Sequence, residues 1–199
     1  MPILTLASTS PARKKLLTEA GISFRDVPPG VDEEALEAKH LPKTACDLTL
    51  LLAKAKAEAV AHKIQKGLVL GCDSALELDG AILGKPLEPE VAIQRWKQMR
   101  GTWGTLHSGH HLIDTTSGET ATLCTQTRVK FADLSDQEID NYVATGEPLH
   151  VAGAFTIDSI GGAYIEKIDG DYHTVVGLSL YGIRSMCQRI GVEYESLWR

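Results

Sequence analysis

The sequence predicts an α/β fold with a mixed β-sheet, and three kinds of segment support this prediction. The run LVLGC at residues 68–72 is short and apolar, which is typical of a buried strand. The chain continues through Asp79-Gly80, a dipeptide that favours the tight turn of a hairpin. Other stretches carry apolar residues at helical spacing. Helices mixed with single buried strands and with hairpins indicate a sheet that contains both parallel and antiparallel strands.

The first 21 residues predict a strand followed by a helix. PILTLAS is typical of a strand, Ser10 is suited to the N-cap of the helix and Gly21 to its end. The first turn of this helix carries three consecutive cations, which are Arg13, Lys14 and Lys15. Cations at a helix N-terminus face the positive pole of the helix dipole, which is unfavourable by about 0.3–1 kcal/mol each. These side chains either point into water or bind an anion.

The rest of the chain predicts further helices and strands. A helix is expected over residues 45–62, with Thr44 at its N-cap. A second is expected over residues 89–100, with Ala92, Trp96 and Met99 facing inward, and a third over residues 135–146, which Ser135 and Glu138 open as a capping box. The inward residues of a last helix are Leu180, Ile183, Cys187 and Ile190. Long strands are expected over residues 104–114 and 120–131. The glycine-rich AGAFTIDSIGGAYIEKI predicts strands separated by a loop, and IDGDYHTVVGLSL predicts a turn and a strand.

Length, charge and composition limit the class of protein. The 199 residues suffice for one domain, expected over residues 1–199, or for two lobes that share a sheet. The formal net charge of −6 argues against binding to nucleic-acid polymers, which requires a dominant basic surface. We expect a cytoplasmic protein, because no segment resembles a signal peptide or a membrane span. Four widely separated cysteines without a C-x-x-C motif fit reduced, structural thiols: Cys46, Cys72, Cys124 and Cys187.

Three basic residues beside predicted loops could together form a phosphate-binding site: Arg13, Lys56 and Lys85. On the second helix, Lys56 borders the apolar face, whereas Lys54 points away from it. Each of these cations is weak evidence alone, because most lysines are solvated. With the hydroxyl groups of LASTS, including Ser8, and a helix N-terminus, they match the donors that bind phosphate.

Acidic residues complement these cations. Asp73 directly follows LVLGC, so we expect it at the carboxyl end of a buried strand, where open α/β sheets usually bind ligands. VDEE at residues 31–34 is expected to form a loop, with Asp32 and Glu34 solvated. A carboxylate beside a polyphosphate can bind Mg²⁺, which takes one or two carboxylates together with phosphate oxygens.

The segment HSGHH contains three histidines but does not predict a zinc site. In a strand, His107 and His111 face one way and His110 faces the other, so they cannot converge without a bend. The chain also lacks the phosphate-binding motif G-x-x-x-x-G-K-[ST] and the nucleophile motif G-x-S-x-G.

Five separated segments together resemble the Maf family of nucleoside triphosphate pyrophosphatases. They are LASTSPARKKLL, LAKAKA, GCDSALELDGAILGKP, YVATGEPLHVAGAFTIDSIGG and VVGLSL, and they agree in order and spacing over nearly the whole chain. The resemblance implies a twisted mixed sheet in two lobes, similar to the ITP pyrophosphatases, with a central cleft as the active site. It implies hydrolysis of nucleoside triphosphates to a monophosphate and pyrophosphate with a divalent cation, Mg²⁺ or Mn²⁺. It also makes a homodimer a candidate assembly.

The resemblance also implies roles for individual residues. Asp73 corresponds to the catalytic aspartate and, with Glu33, to the carboxylates that bind the metal. The residues that correspond to the substrate-binding set are Ser8, Arg13, Lys56 and Lys85.

Three positions depart from the subgroup of the family that prefers dTTP and UTP. That subgroup carries Arg, Thr and Gln where this chain has Ala12, Ser74 and Asp158. The subgroup that acts on 7-methyl-GTP typically has an aromatic residue at the position of Ala12. We therefore expect a relaxed or redirected base preference, which includes non-standard or modified nucleotides.

The predicted mechanism has Asp73 activate the water that attacks the α-phosphorus, with pyrophosphate as the leaving group. The family has also been associated with septum formation and cell-division arrest. The alternative function is therefore a nucleotide-sensing regulator that binds a nucleotide without turnover. A regulator needs no general base, so the presence of Asp73 and Glu33 favours the enzyme.

Overall fold

A computed structural model describes residues 3–198, which contain seven β-strands and seven α-helices. The strands are β1 (Leu4–Ala7), β2 (Phe24–Asp26), β3 (Leu68–Leu78), β4 (Ala81–Leu83), β5 (Trp103–Asp114), β6 (Thr120–Phe131) and β7 (Ile165–Gly170). The helices are α1 (Pro11–Glu19), α2 (Glu33–His40), α3 (Ala45–Ala61), α4 (Pro89–Met99), α5 (Asp136–Ala144), α6 (Tyr172–Val176) and α7 (Leu180–Arg189). Of the predicted first strand PILTLAS, Pro2 lies outside the described residues. No helix within residues 3–198 is long and apolar enough to cross a membrane.

The strands form one mixed sheet, which confirms the predicted α/β class. They hydrogen-bond in the order β2-β1-β3-β5-β6-β7, with β4 paired to β3. β1 runs parallel to β2 and β3, whereas the pairs β3–β4 and β6–β7 are antiparallel.

Two compact units can be distinguished in the chain. Unit 1 comprises the residues up to Asp73, Ser108–Thr125 and the residues from Gly177 onward, and unit 2 comprises Ser74–His107 and Gln126–Val176.

In unit 1, the capping residues that the sequence predicts lie at the ends of α1 and α3. The Ser10 hydroxyl accepts a hydrogen bond from the Arg13 N–H at 3.5 Å, and Pro11 is the first residue of α1. Gly21 follows α1 with φ 69°, a conformation that favours glycine. The Thr44 hydroxyl accepts from the Asp47 N–H at 3.0 Å and caps α3. The helices predicted over residues 11–20 and 45–62 are therefore confirmed.

Gly71 allows β3 to pack directly against α3 in unit 1. A Cβ atom at this position would lie 2.0 Å from the Ala53 carbonyl oxygen and 2.7 Å from the Ala57 nitrogen. Both neighbours are backbone atoms of α3, so neither can rotate away. This close approach brings α3 beside the segment of β3 that contains Asp73.

Trp96 lies at the centre of the hydrophobic core of unit 2. Its indole N–H donates to the Ala154 carbonyl at 2.8 Å, which satisfies its one polar group. The ring makes edge-to-face contacts with Phe131 and Tyr142, with centroids 5.7 and 5.4 Å apart. Trp96 belongs to α4, and the residues of α4 that were predicted to face inward are all buried: Ala92, Trp96 and Met99.

Other predicted elements of the chain are confirmed with small differences. Asp79 and Gly80 have φ values of 49° and 81°, as a type I′ hairpin turn between β3 and β4 requires. Ser135 and Glu138 form the predicted capping box of α5. In α7, Ile183 and Cys187 are buried as predicted; the two other predicted inward residues are half-buried, and they are Leu180 and Ile190.

The expectation that Asp73 ends a strand is wrong. β3 runs from Leu68 to Leu78, so Asp73 lies in its middle. The hairpin explains the difference, because pairing with β4 continues the strand beyond Asp73. The parallel pairing of β3 with β1 does stop at Gly71, two residues before Asp73.

The predicted loop at residues 31–34 is the beginning of a helix. The Asp32 carboxylate accepts from the Ala35 N–H at 3.0 Å and caps α2, and Glu33 and Glu34 lie in its first turn. Acidic residues in the first turn interact favourably with the helix dipole, so the same acidic run also fits a helix start.

The glycine-rich segment after α5 is not a pair of strands. Residues 152–154 and 160–164 form short 3₁₀ turns, β7 is the single strand, and residues 172–176 form α6 where a turn and a strand were predicted. The Glu147 carboxylate holds this part of unit 2, because it accepts hydrogen bonds from the Thr156 hydroxyl at 2.6 Å and the Gly161 N–H at 2.8 Å. Burial alone would raise the pKa of Glu147, but hydrogen bonds, first from Thr156, outweigh burial and lower this pKa to about 2.

We predict that Gly71→Ala strongly destabilises the protein. Overpacking typically costs about 1–3 kcal/mol, and we expect the upper end or more because the added methyl meets backbone. At about 2–4 °C per kcal/mol, the melting temperature should fall by at least about 6 °C. The matched control is Gly84→Ala, because nothing lies within 4 Å of a Cβ atom at Gly84. A Gly71→Ala variant that melts with the wild-type protein would contradict the close packing of β3 on α3.

Candidate functional site

Arg13 is buried although it belongs to the basic first turn of α1. Only 8% of the residue is exposed. Its Nε donates to the Gly177 carbonyl at 2.8 Å, and its Nη1 donates to the Ser8 hydroxyl at 3.2 Å and to the Cys72 carbonyl at 3.0 Å. These oxygen acceptors compensate the positive charge at the helix N-terminus. Lys14, by contrast, pairs with Asp26.

Ser8 connects the end of β1 to the start of α1. Its buried hydroxyl oxygen accepts from Arg13 and from the Ser10 N–H, the latter at 3.2 Å. The LASTS segment and the guanidinium group therefore hold each other in place, and Ser10 caps the helix that carries Arg13.

Lys56 joins the two acidic residues that the sequence singled out. Its ammonium nitrogen lies 2.5 Å from Oδ1 of Asp73 and 2.8 Å from Oε1 of Glu33. Only 6% of Lys56 is exposed. Lys54 on the same helix is exposed, and its ammonium nitrogen lies 3.9 Å from Oε1 of Glu58. The helical spacing therefore identified correctly which of the two lysines lies beside the core.

Burial raises the pKa of Asp73, while the positive charges of Lys56 and Arg13 oppose this effect. A carboxyl group with a raised pKa binds a proton more readily than an exposed aspartate does, as a general base requires. Burial also raises the pKa of the neighbouring Cys72 thiol to about 12, so this thiol is neutral at physiological pH. Asp73 is therefore the side chain on this part of β3 that can take up a proton.

The acidic residues of this site carry carboxylate oxygens, the ligands that Mg²⁺ and Mn²⁺ prefer. Asp73 and Glu33 both contact the Lys56 ammonium group, so their carboxylates lie close to the same nitrogen atom. Burial raises the pKa of Glu37, and the negative charges of Asp73 and Glu33 raise it further. Within residues 3–198, no group of three or more His, Cys, Asp and Glu side chains is arranged to hold a metal ion. Asp73 and Glu33 are the carboxylates of this site that could contribute oxygen ligands to a divalent cation.

The predicted site residues are distributed over both units. Unit 1 brings together Ser8, Arg13, Glu33, Lys56 and Asp73, and it also contains Ala12, which precedes Arg13 on α1. Unit 2 contains Ser74 on β3, the exposed Lys85 in the loop after β4, and the half-buried Asp158 between two 3₁₀ turns.

The three histidines of HSGHH have different partners. His107 Nε2 lies 3.2 Å from Glu77 Oε2 in unit 2, and burial lowers the pKa of His107. In unit 1, His111 Nδ1 lies 2.7 Å from the Thr122 hydroxyl, whereas His110 Nε2 accepts from the backbone N–H of Ser179 at 3.0 Å. Sequence reasoning assigned no role to the segment that contains Ser179, although VVGLSL was one of the segments that carried the family resemblance.

The fold and the site together define an α/β protein with a largely buried carboxylate, an ammonium group and a guanidinium group near the point where the parallel pairing of β1 with β3 ends. Residues 3–190 match the model of the family described as Maf-like protein, and the chain belongs to this family.

Similar proteins cover almost the whole chain. A protein of Salinispora tropica named nucleoside triphosphate pyrophosphatase is 50% identical, over 98% of this chain and 87% of its own. Proteins of the same name from Leifsonia xyli subsp. xyli and Streptomyces avermitilis are 50% and 49% identical, each over 98% of this chain and over 96% and 94% of their own. Among solved structures, the Staphylococcus aureus Ham1 protein shows a partial likeness, with 18% identity and a TM-score of 0.43 over 66% of this chain and 72% of that chain.

We predict that Lys56→Met destabilises the protein far more than Lys54→Met. Removal of one partner from a buried ion pair leaves an uncompensated charge, and we expect a loss of about 3 kcal/mol for Lys56→Met. Lys54 is exposed, so its replacement should change the free energy of unfolding by less than about 0.5 kcal/mol. Urea denaturation of both variants measures the difference. The double variant Lys56→Met, Asp73→Asn should recover part of the loss, and equal stabilities of the two single variants would contradict the pairing.

Proposed function

We propose that this protein hydrolyses nucleoside triphosphates to a nucleoside monophosphate and pyrophosphate. The observation that carries the proposal is the Asp73 carboxylate, whose side chain is only 14% exposed, 2.5 Å from Lys56 and next in sequence to the Cys72 carbonyl that Arg13 contacts. Membership of the Maf-like family and the name shared by relatives at about 50% identity support it.

The cations of unit 1 would bind the phosphate chain. Arg13 and Lys56 are both fixed by neighbouring oxygen atoms, so their positive charges are already oriented before a substrate arrives. The Ser8 hydroxyl and the N-terminus of α1 add hydrogen-bond donors of the kind that phosphate groups accept. For Lys85 in unit 2, the proposal rests on its place in the segment LGKP.

Asp73 would act as the general base. Its carboxylate would accept the proton of the water that attacks the α-phosphorus, and burial raises its pKa in the direction that this step needs. Lys56 would hold the carboxylate in one orientation through its contact with Oδ1. Since Arg13 and Lys56 carry positive charge, they would also stabilise the negative charge that develops on the departing pyrophosphate.

We further propose that Asp73 and Glu33 hold Mg²⁺ or Mn²⁺ when the nucleotide is bound. A cation held by these two carboxylates would neutralise phosphate charge and help to orient the phosphate chain. Phosphate oxygens and water would supply its other ligands, which is the usual coordination of Mg²⁺ in proteins.

The base preference should differ from strict selectivity for dTTP and UTP. Ala12 and Ser74 are smaller than the arginine and threonine of that subgroup, and an ionised Asp158 offers only acceptors where glutamine offers both donors and acceptors. An acceptor-only side chain favours a base that presents an amino group. Non-standard or modified nucleotides are included in this proposal.

A cytoplasmic location is also part of the proposal. Each of the four cysteines carries a free thiol, which fits a reducing compartment. The homodimer stays a prediction.

The decisive experiment identifies the products. We predict that purified protein with Mg²⁺ or Mn²⁺ releases monophosphate and pyrophosphate in equal amounts, measured by chromatography over a panel of standard and modified nucleoside triphosphates. A chelator should abolish turnover, and added metal should restore it. Diphosphate and orthophosphate as primary products would contradict the proposal. Tight nucleotide binding without turnover across the panel would favour the nucleotide-sensing regulator instead.

A second prediction concerns the base. Asp73→Asn should lower kcat by about 10²–10⁴-fold, because the amide cannot accept a proton from water. The variant should remain folded and bind nucleotide, since the amide oxygen can still accept a hydrogen bond from Lys56. The matched control is Asp26→Asn, which alters another aspartate that pairs with a lysine in unit 1. Near-normal turnover of Asp73→Asn would remove Asp73 from the mechanism.

A further inference from the structure

His110 is a fully buried histidine whose protonation state is fixed by its neighbours. The backbone N–H of Ser179 donates to its Nε2 at 3.0 Å. A backbone N–H can only donate, so Nε2 must carry a lone pair. The ring proton is therefore on Nδ1, which lies 3.3 Å from the Leu123 carbonyl oxygen on β6. His110 is thus a neutral imidazole that holds β6 at one nitrogen and Ser179 at the other.

Ser179 belongs to a short segment, residues 177–179, that links α6 to α7. The Ser179 hydroxyl accepts from the Gly182 N–H at 3.0 Å and caps α7, so the end of the segment is fixed at that helix. Gly177 at the beginning has φ 115°, a conformation that favours glycine. Its carbonyl accepts the Nε hydrogen bond of Arg13 at 2.8 Å.

The Gly177 carbonyl determines how the Arg13 side chain is turned. A guanidinium group is planar, so a hydrogen bond at Nε fixes the direction in which both terminal nitrogens point. With Nε on Gly177, Nη1 of Arg13 reaches the Ser8 hydroxyl and the Cys72 carbonyl beside Asp73. A shift of residues 177–179 would therefore turn the guanidinium group away from this arrangement.

We propose that His110 is a positioning residue for Arg13. It holds residues 177–179 through Ser179, so that the Gly177 carbonyl keeps the Arg13 guanidinium oriented for the triphosphate. His110 touches no reacting atom and acts through Ser179, Gly177 and Arg13. This inference rests on the proposed function for its effect on turnover, whereas the contact chain itself can be tested without a substrate.

The kinetic test compares side chains that keep or remove the acceptor at Nε2. Gln places its amide oxygen near the Nε2 position, whereas Asn is shorter and Leu has no acceptor. We expect His110→Leu and His110→Asn to lower kcat about ten- to hundred-fold, as small misplacements of binding groups do. KM should change by less than about threefold, because Arg13 keeps its charge. His110→Gln should regain most of the lost kcat.

The matched control is His111→Leu. His111 is also a buried histidine of β5, but its Nδ1 lies 2.7 Å from the Thr122 hydroxyl on β6 and not beside Ser179. His111→Leu should therefore keep the wild-type kcat. Wild-type kcat in His110→Asn, no rescue by His110→Gln, or an equal loss in His111→Leu would each overturn the proposal.

A measurement without substrate separates this inference from the proposed function. The Nε–H of Arg13 can be followed by ¹H–¹⁵N NMR and assigned by its absence in Arg13→Lys. Its exchange with solvent should be slow in the wild-type protein and in His110→Gln, and at least about tenfold faster in His110→Asn. If the wild-type protein releases no pyrophosphate, the proposed function fails while this comparison still decides the contact chain. Equal exchange rates in His110→Gln and His110→Asn would overturn the positioning role.

Discussion

The ion pair between Lys56 and Asp73 is the interaction on which the rest of the site depends. Both groups are largely removed from water, and an unpaired buried charge is unfavourable by several kcal/mol, so each stabilises the other. The pair forms because Gly71 lets α3 approach β3 closely enough for the lysine to reach the strand. Glu33 at the start of α2 then shares the same ammonium group, so three elements of unit 1 meet at one nitrogen atom.

Arg13 is a second buried charge of unit 1 that needs compensation. A cation at a helix N-terminus lies at the positive pole of the helix dipole. Two backbone carbonyls and the Ser8 hydroxyl compensate it, and these acceptors come from β3, the segment before α7 and the connection between β1 and α1. A guanidinium group held in this way is oriented before any ligand binds, so the side chain loses less conformational entropy on binding. The same pre-orientation makes Arg13 sensitive to residues such as His110 that hold its acceptors.

Two of the errors in the sequence-based expectations share a physical cause. Asp73 was expected at a strand end because the apolar run stops there, but pairing with β4 extends the strand into a less apolar segment. The glycine-rich segment of unit 2 was expected to form strands, but the Glu147 carboxylate gathers its N–H and hydroxyl groups into 3₁₀ turns. In both cases contacts with a neighbouring segment overrode the pattern within the segment itself.

The sequence by itself determined the features that depend on neighbours a few residues away. Caps such as Ser10 and Thr44, the Asp79-Gly80 turn and the difference between Lys54 and Lys56 are set by local spacing, and all were predicted correctly. The motifs also indicated the family and its candidate residues. Only the tertiary structure decided which groups meet, because nothing in local periodicity specifies contacts over long separations. Arg13 and Gly177 are 164 positions apart, and His110 and Ser179 are 69 apart; their hydrogen bonds exist only because the folded chain brings β5, α1 and the start of α7 together.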